Sequence, residues 1–191
     1  MHAASPHEIL AGLEQYGIRL GLDHLRELAG DLGHPERSTP ALIVAGTNGK
    51  GSVAALLASI ARAAGLDAGL YTSPHLENVE ERIRVDGREI ASADLGGLLR
   101  EVTSAARGIG HPSPTYFEAM TLSALLHFAR RKVDLAVLEV GMGGRLDATN
   151  LVDARLAVIT AIALDHQEWL GPTVDAIARE KAGVLRAGCP V

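Results

Sequence analysis

The chain has 191 residues, a formal net charge of −5 and 47% hydrophobic residues, as expected of a globular protein with one good core. The negative charge and the scarcity of aromatic residues argue against a nucleic acid or an anionic membrane as main partner. A single cysteine excludes a disulfide framework and a cysteine-rich zinc site. With neither a signal-peptide pattern nor an apolar run of ~20 residues, we expect a cytoplasmic protein.

The first forty residues carry two helix patterns. Ser5, Pro6 and Glu8 have the spacing of an N-cap, a first-turn proline and a capping box, which predicts a helix to about residue 16. Asp23 is predicted to cap a second helix that ends at residue 32. A polar connector, residues 35–40, follows it. We therefore assign residues 1–40 to an N-terminal helical segment.

A glycine-rich turn follows the apolar, β-branched run at residues 41–45, and a long helical pattern begins directly after it. Glycine lets consecutive backbone N–H groups point at one spot, and a helix N-terminus adds a partial positive charge. Lys50 adds a full charge, and Ser52 adds a hydroxyl that can reach a phosphate oxygen or Mg²⁺. The predicted polyphosphate site consists of Gly46, Thr47, Asn48, Gly49, Lys50, Gly51 and Ser52.

The spacing of this turn differs from the common P-loop. Only two residues separate Gly46 from Gly49, and Gly51 stands between Lys50 and Ser52, whereas the common motif has four residues and no intervening glycine. This difference disfavours a generic GTPase or kinase. A strand-to-helix turn without function is the alternative, which we disfavour because a lysine in such a turn has no structural purpose.

Strands and helices alternate along the rest of the chain. Further strands are predicted at residues 67–71, 133–139 and 156–162. Helices are predicted at residues 92–106, with Ser92 as the cap, 116–131 and 173–185, and a loop at residues 108–114. Asp86 and Gly87 lie between two alternating segments, residues 82–85 and 88–90, which predicts a hairpin that we expect to leave the main sheet.

This alternation predicts an α/β fold with a P-loop and a doubly wound, mostly parallel sheet. The last residues have the pattern of the first residues of another strand. We therefore expect residues 41–191 to form an ATP-binding domain that is incomplete at its C-terminus.

Ligands of such sheets bind outside the carboxyl ends of the strands, where the sequence places Ser73, Glu139 and His166. A carboxylate after six mostly apolar residues favours a bound cation such as Mg²⁺ over an acid satisfied by backbone. For His166 a core histidine and a ligand remain equally open, because Mg²⁺ rarely selects imidazole. Lys181, judged alone, is a solvated helix lysine.

The chain resembles the folylpolyglutamate synthase and dihydrofolate synthase family, a branch of the Mur ligases, over almost its whole length. The motifs that carry the resemblance lie at residues 46–52, 72–76, 81–83, 115–118, 139–150, 163–166 and 179–183.

This resemblance implies roles for the candidate residues. ATP phosphates would bind at Gly49 to Ser52, and Ser73, Glu139 and His166 would hold Mg²⁺. Lys181 would be carbamylated and would help to hold a second Mg²⁺. The catalytic set would be Lys50, Lys181, His166 and Glu139. The pterin-bearing substrate would contact Leu20, Gly21, Thr115, Tyr116, Phe117, Glu118, Leu146, Asp147 and Ala148.

The implied reaction joins L-glutamate to a dihydropteroate or folate carboxylate through an acyl phosphate, with ATP as the phosphoryl donor. Family members carry a C-terminal domain with adenine and glutamate contacts that these 191 residues lack. We expect a monomer in full-length form and an isolated chain that is inactive or weakly active. The alternatives are an ATP-binding fragment without ligation and another Mur-type ligase, the peptidoglycan type being disfavoured by Gly51 and residues 115–118.

Overall fold

A mixed six-stranded sheet runs through the centre of the computed structural model, which describes residues 4–108 and 112–191. Its strands in chain order are β1 (Ala41–Ala45), β2 (Ala68–Tyr71), β3 (Ile83–Val85), β4 (Arg88–Glu89), β5 (Leu135–Glu139) and β6 (Ala154–Ile159). Their spatial order is β4-β3-β2-β5-β1-β6. Strands β2, β5, β1 and β6 are parallel, which confirms the predicted α/β fold with a mostly parallel sheet.

The helices connect and cover these strands. They are α1 (Pro6–Ala11), α2 (Asp23–Asp31), α3 (Lys50–Ala63), α4 (Ser92–Gly108), α5 (Tyr116–Arg131), α6 (Gln167–Leu170) and α7 (Val174–Ala182). Within the described residues, no helix has the length and apolar character needed to cross a bilayer.

The two faces of the sheet are covered unequally. On one face, Ile43, Tyr71 and Leu138 belong to a large core to which α1, α2, α4 and α5 all contribute. On the other face, Val44 and Val137 pack with residues of α3 in a small second cluster. Residues 4–40 therefore share the main core with the strands, because the apolar faces of α1 and α2 are buried in it.

The predicted hairpin does not leave the main sheet, so this expectation was wrong. Strand β3 pairs antiparallel with β2, with Gly69 opposite Val85 and Tyr71 opposite Ile83, and β4 then pairs with β3. Ile83 and Val85 are buried in the large core. Burial of this apolar side of β3 is the physical reason why the hairpin extends the sheet.

Several predicted element ends are also corrected. Helix α1 ends at Ala11, and a separate 3₁₀ turn covers Glu14–Tyr16. Asp23 is the first residue of α2 and not its cap; its carboxylate lies 2.9 Å from Arg26 Nη1. Ser92 is likewise the first residue of α4. The middle of the predicted loop at 108–114 lies outside the described residues, and α6 was missed.

The register of the sheet determines what meets at its carboxyl edge. Val44 of β1 is opposite Glu139 of β5, and Ala45 is opposite Ile159 of β6. Tyr71 of β2 is opposite Leu138. The segments that follow β1, β2, β5 and β6 therefore emerge side by side at one edge, where the chemistry-bearing residues were expected.

Candidate active site

The glycine-rich turn joins β1 directly to α3. Gly49 is the N-cap of α3 and has a φ of 82°, a left-handed conformation that glycine adopts without strain. No side chain caps the helix, so its first N–H groups remain available for an anion. Lys50 is the first helical residue, and its Nζ donates to the Thr47 carbonyl at 3.1 Å. The turn has the construction of an anion site.

Thr47 ties this turn to the segment after β6. Its backbone N–H donates to the Ala161 carbonyl at 2.8 Å. Its hydroxyl donates to the Ala163 carbonyl and accepts from the Ala163 N–H, both at 3.1 Å. This segment leads to His166, which has a left-handed φ of 45°. The nucleotide turn and the approach to His166 are therefore held together.

Glu139 lies beneath the turn and is 5% exposed. Its Oε2 accepts from the Ser73 N–H at 3.0 Å. A Cβ added to Gly51 would lie 3.3 Å from the same oxygen, so a side chain there would crowd the carboxylate. Burial raises the pKa of Glu139, while the Ser73 N–H, Lys50 and Arg82 act to lower it. The carboxylate lacks an ion-pair partner among the described residues, and a hard cation would compensate for its burial.

Lys181 of α7 is 2% exposed, so its prediction as a solvated helix lysine was wrong. Its Nζ donates to the Gly46 carbonyl at 2.8 Å, which places the amine against the glycine-rich turn. Burial lowers the pKa of Lys181, and the charge of Lys50 lowers it further, while Asp165 and Asp147 act to raise it. The helix periodicity contains no sign of this contact, because the turn that covers Lys181 lies 135 residues earlier.

A cavity of about 410 Å³ opens beside these groups. The lining combines polar groups with apolar and aromatic ones. The lining residues that the sequence predicted are Leu20, Gly21, Lys50, Ser73, Thr115, Phe117, Glu118, Leu146, Asp147, Ala148 and His166. The lining residues that it missed include Ile18, Arg19, Arg82 and Met142. Tyr116 does not line the cavity; its ring lies against Arg82.

Glu118 anchors one wall of this cavity. It forms a capping box with Thr115 at the start of α5, accepting from the Thr115 N–H at 2.7 Å. Its other oxygen, Oε1, lies 2.8 Å from His24 Nε2, while Arg19 Nη1 lies 3.5 Å from Oε2, the oxygen that accepts from Thr115. Glu118 therefore holds the N-terminal segment against α5.

Asp147 shapes the opposite wall. Its carboxylate accepts from the Met142 N–H at 2.9 Å and from the Thr149 hydroxyl at 2.6 Å. Because these bonds lie within its own loop, Asp147 fixes the path of residues 141–149, which carry Leu146 and Ala148 into the cavity wall.

The residues expected to hold a divalent ion offer oxygen and nitrogen donors. In the described ranges, no three residues among His, Cys, Asp and Glu come close enough to form a metal cluster. The expected set has two such residues, Glu139 and His166, together with the Ser73 hydroxyl. Ser73 and His166 line the cavity, and Glu139 contacts Ser73. Carboxylate and hydroxyl oxygens fit a hard ion such as Mg²⁺, which keeps several waters as ligands.

Comparison with known proteins gives a consistent result. A family model described as Mur ligase middle domain matches residues 44–187. The dihydrofolate synthase/folylpolyglutamate synthase of Escherichia coli is 48% identical over 181 residues, which are 95% of this chain and 42% of that protein. The chain is also similar to a structure of E. coli FolC in complex with DHPP and ADP, with a TM-score of 0.91 and 47% identity over 96% of this chain and 44% of that one.

A third relative is a bifunctional folylpolyglutamate synthase/dihydrofolate synthase solved with Mn, AMPPNP and L-glutamate bound. The TM-score is 0.89, with 44% identity, and the match covers 97% of this chain and 45% of that chain. The chain thus spans less than half the length of the relatives that it matches.

Proposed function

Because the chain belongs to the Mur ligase middle-domain family, we propose that it is the ATP-binding portion of a ligase. The reaction joins L-glutamate to the carboxylate of a dihydropteroate or folate. The substrate carboxylate attacks the γ-phosphorus of ATP to form an acyl phosphate and ADP. The amine of L-glutamate then attacks the acyl carbon, and phosphate leaves as the amide forms.

One observation supports this proposal above the others: the lysine of the phosphate turn and a wall of apolar and aromatic side chains line the same cavity. Lys50 and Ser73 share it with Phe117, Leu146 and Ala148. A flat ring system with a carboxylate tail suits such a lining, because apolar walls bury the rings while polar groups orient the tail.

The residues of the turn have separate tasks in this proposal. The N–H groups at the start of α3 and the charge of Lys50 bind the phosphates and stabilise charge on the phosphoryl group as it transfers.

Ser73, Glu139 and His166 hold Mg²⁺, which neutralises phosphate charge when bound. We include two ions, the second held by Lys181 as a carbamate. Its buried position and lowered pKa favour the neutral amine that reacts with CO₂.

Residues 41–191 form the ATP-binding domain in this proposal, with residues 1–40 as a helical segment packed on it. The glutamate-ligase domain belongs to the additional length that the relatives have. We place the enzyme in the cytoplasm, as a monomer in its full-length form.

Calorimetry on the 191-residue chain tests nucleotide binding. We expect AMPPNP to bind in the presence of Mg²⁺, with affinity lost on removal of the metal or in Lys50→Met. The control is Lys132→Met, since Lys132 is an exposed residue after α5. Folded wild-type protein that gives no heat with AMPPNP and Mg²⁺ would overturn the proposal.

An ATP-binding fragment without ligase activity of its own is the second candidate, because the chain spans only 42% of the E. coli relative. Glutamate-dependent ADP release with dihydropteroate separates the two, and we expect little or none from the isolated chain. Turnover at the rate of a full-length ligase would refute that expectation. The third candidate is another Mur-type ligase. Competition between dihydropteroate and a UDP-linked precursor for binding to the chain distinguishes it, because a peptidoglycan-type ligase would prefer the UDP-linked precursor.

A further inference from the structure

Arg82 is a buried cation that the roles above do not use. It ends the 3₁₀ turn Val79–Arg82 before β3, is 9% exposed and lines the cavity with Lys50 and Ser73. Its Nε donates to His75 Nδ1 at 2.9 Å. Its guanidinium carbon lies 5.1 Å from the centroid of the Tyr116 ring, within the range of a cation–π contact.

These two contacts orient the guanidinium but leave its two terminal nitrogens without a direct partner. Among the described residues, no carboxylate pairs with Arg82, and neither Nη1 nor Nη2 has a hydrogen-bond partner. His75 accepts the Nε–H at its Nδ1, so this contact supplies no negative charge to Arg82. Arg82 lines the cavity with both amino groups free of protein partners, so an anion that enters the cavity can bind there.

The other cations of the cavity already have partners. Arg19 lies 3.5 Å from a Glu118 oxygen, and Lys50 donates to the Thr47 carbonyl. Arg82 is therefore the lining arginine, within the described part of the chain, both of whose terminal nitrogens lack a partner. A planar fork of two N–H donors matches a carboxylate better than a lysine does.

We propose that Arg82 binds the carboxylate of the acid substrate through Nη1 and Nη2 and orients it for attack on ATP. This inference rests on the proposed function and adds a residue to it. Arg82 contributes its charge and two N–H donors and takes no part in proton transfer. One carboxylate oxygen forms the new bond to the γ-phosphorus, and the bond from that phosphorus to the bridging oxygen breaks, releasing ADP.

The contact has a chemical signature: the site must prefer an acid over its neutral ester. We would titrate the full chain, with Mg²⁺ and AMPPNP present, with pteroate and with pteroate methyl ester. In wild type the acid should bind at least about tenfold tighter than the ester, as expected for a charge-assisted pair. In Arg82→Gln the preference should disappear, mainly through weaker binding of the acid.

Two further variants make the test specific. Arg82→Lys keeps the charge but loses the fork, so an intermediate preference is expected. Arg84→Gln is the matched control, since Arg84 lies two residues along on β3 and pairs with Glu89 at 3.2 Å outside the cavity. It should keep the wild-type preference.

The outcomes separate failure of this inference from failure of the proposed function. If wild type binds neither pteroate nor its ester, the proposed substrate class fails. If it binds both equally, or if Arg82→Gln keeps the acid preference, the role of Arg82 fails and the substrate class stands. Should Arg82→Gln not fold, the ratio of acid to ester affinity is compared between wild type and Arg82→Lys. A lower ratio in Arg82→Lys supports the role of Arg82, and an equal ratio contradicts it.

Discussion

At the scale of single residues, Glu139 connects stability to function. Its pKa is raised by burial, so the folded chain holds this proton more tightly than the unfolded chain does. The free energy of unfolding therefore falls as the pH rises from the unfolded pKa through the raised folded pKa. Above that window the ionised carboxylate destabilises the metal-free protein by its full amount.

We predict that Glu139→Gln removes this cost while preventing metal-assisted nucleotide binding. The variant should unfold at a temperature no lower than that of wild type at neutral pH. The affinity for AMPPNP with Mg²⁺ should fall at least about tenfold, because a ligand charge is lost. Thermal unfolding with and without the nucleotide measures both effects.

Glu101→Gln is the matched control for this prediction, since Glu101 forms an ion pair with Arg130. This variant should change the free energy of unfolding by less than about 1 kcal/mol and leave the affinity for AMPPNP unchanged. A lower stability of Glu139→Gln at every pH would contradict the burial argument.

Lys181 carries the second residue-scale prediction. Only a neutral amine reacts with CO₂, so labelling by ¹³C-bicarbonate should increase as the pH is raised from neutral toward the ordinary lysine pKa of about 10.4. Because its pKa is lowered, Lys181 should label at a lower pH than the exposed Lys132. The carbamate resonance in a carbon NMR spectrum should vanish in Lys181→Arg and persist in Lys132→Arg. Equal labelling of both variants would exclude a specific carbamate.

At the scale of elements, the capping box of α5 supports the cavity wall. Thr115→Ala removes the hydroxyl that accepts the Glu118 N–H and should lower the free energy of unfolding by about 1 kcal/mol. It should also weaken pteroate binding, since Thr115 and Glu118 line the cavity. Urea denaturation and ligand titration check the two effects.

Ser5→Ala is the matched change, because Ser5 and Glu8 form the same capping box at α1. Ser5 is exposed and α1 has only six residues, so we expect a loss of about 0.5 kcal/mol with no effect on pteroate. A larger loss of unfolding free energy in Ser5→Ala than in Thr115→Ala would contradict the argument that a buried cap on a longer helix contributes more.

The sequence was sufficient for elements with a strong local signal. Residues 41–45 and 116–131 were predicted with the observed limits, because an apolar run or a capping box marks their ends. The placement of the hairpin was missed, since it depends on β2 presenting a free edge. Arg82 was missed, and the burial of Lys181 was not predicted by its own helix pattern, for the same kind of reason: both depend on distant segments that no local periodicity encodes.

At the scale of the molecule, the outer side of α3 predicts self-association of the isolated 191-residue chain. Leu56 and Ile60 lie one turn apart on α3 and are 63% and 64% exposed, which leaves adjoining apolar surface in water. Replacing both with lysine should reduce concentration-dependent association, measured by light scattering after gel filtration. Nucleotide affinity should not change, because both residues lie in α3 beyond the glycine-rich turn and neither lines the cavity. An unchanged association would assign it to another surface.

The bonds from Thr47 to Ala161 and Ala163 have an optical consequence. Three residues beyond His166 stands Trp169, the only tryptophan of the chain, whose backbone N–H donates to the His166 carbonyl at 2.9 Å. Its indole is 41% exposed and so is sensitive to solvent. We expect a rearrangement of the glycine-rich turn on triphosphate binding to move this segment as well, so the native emission spectrum of Trp169 should change with occupancy.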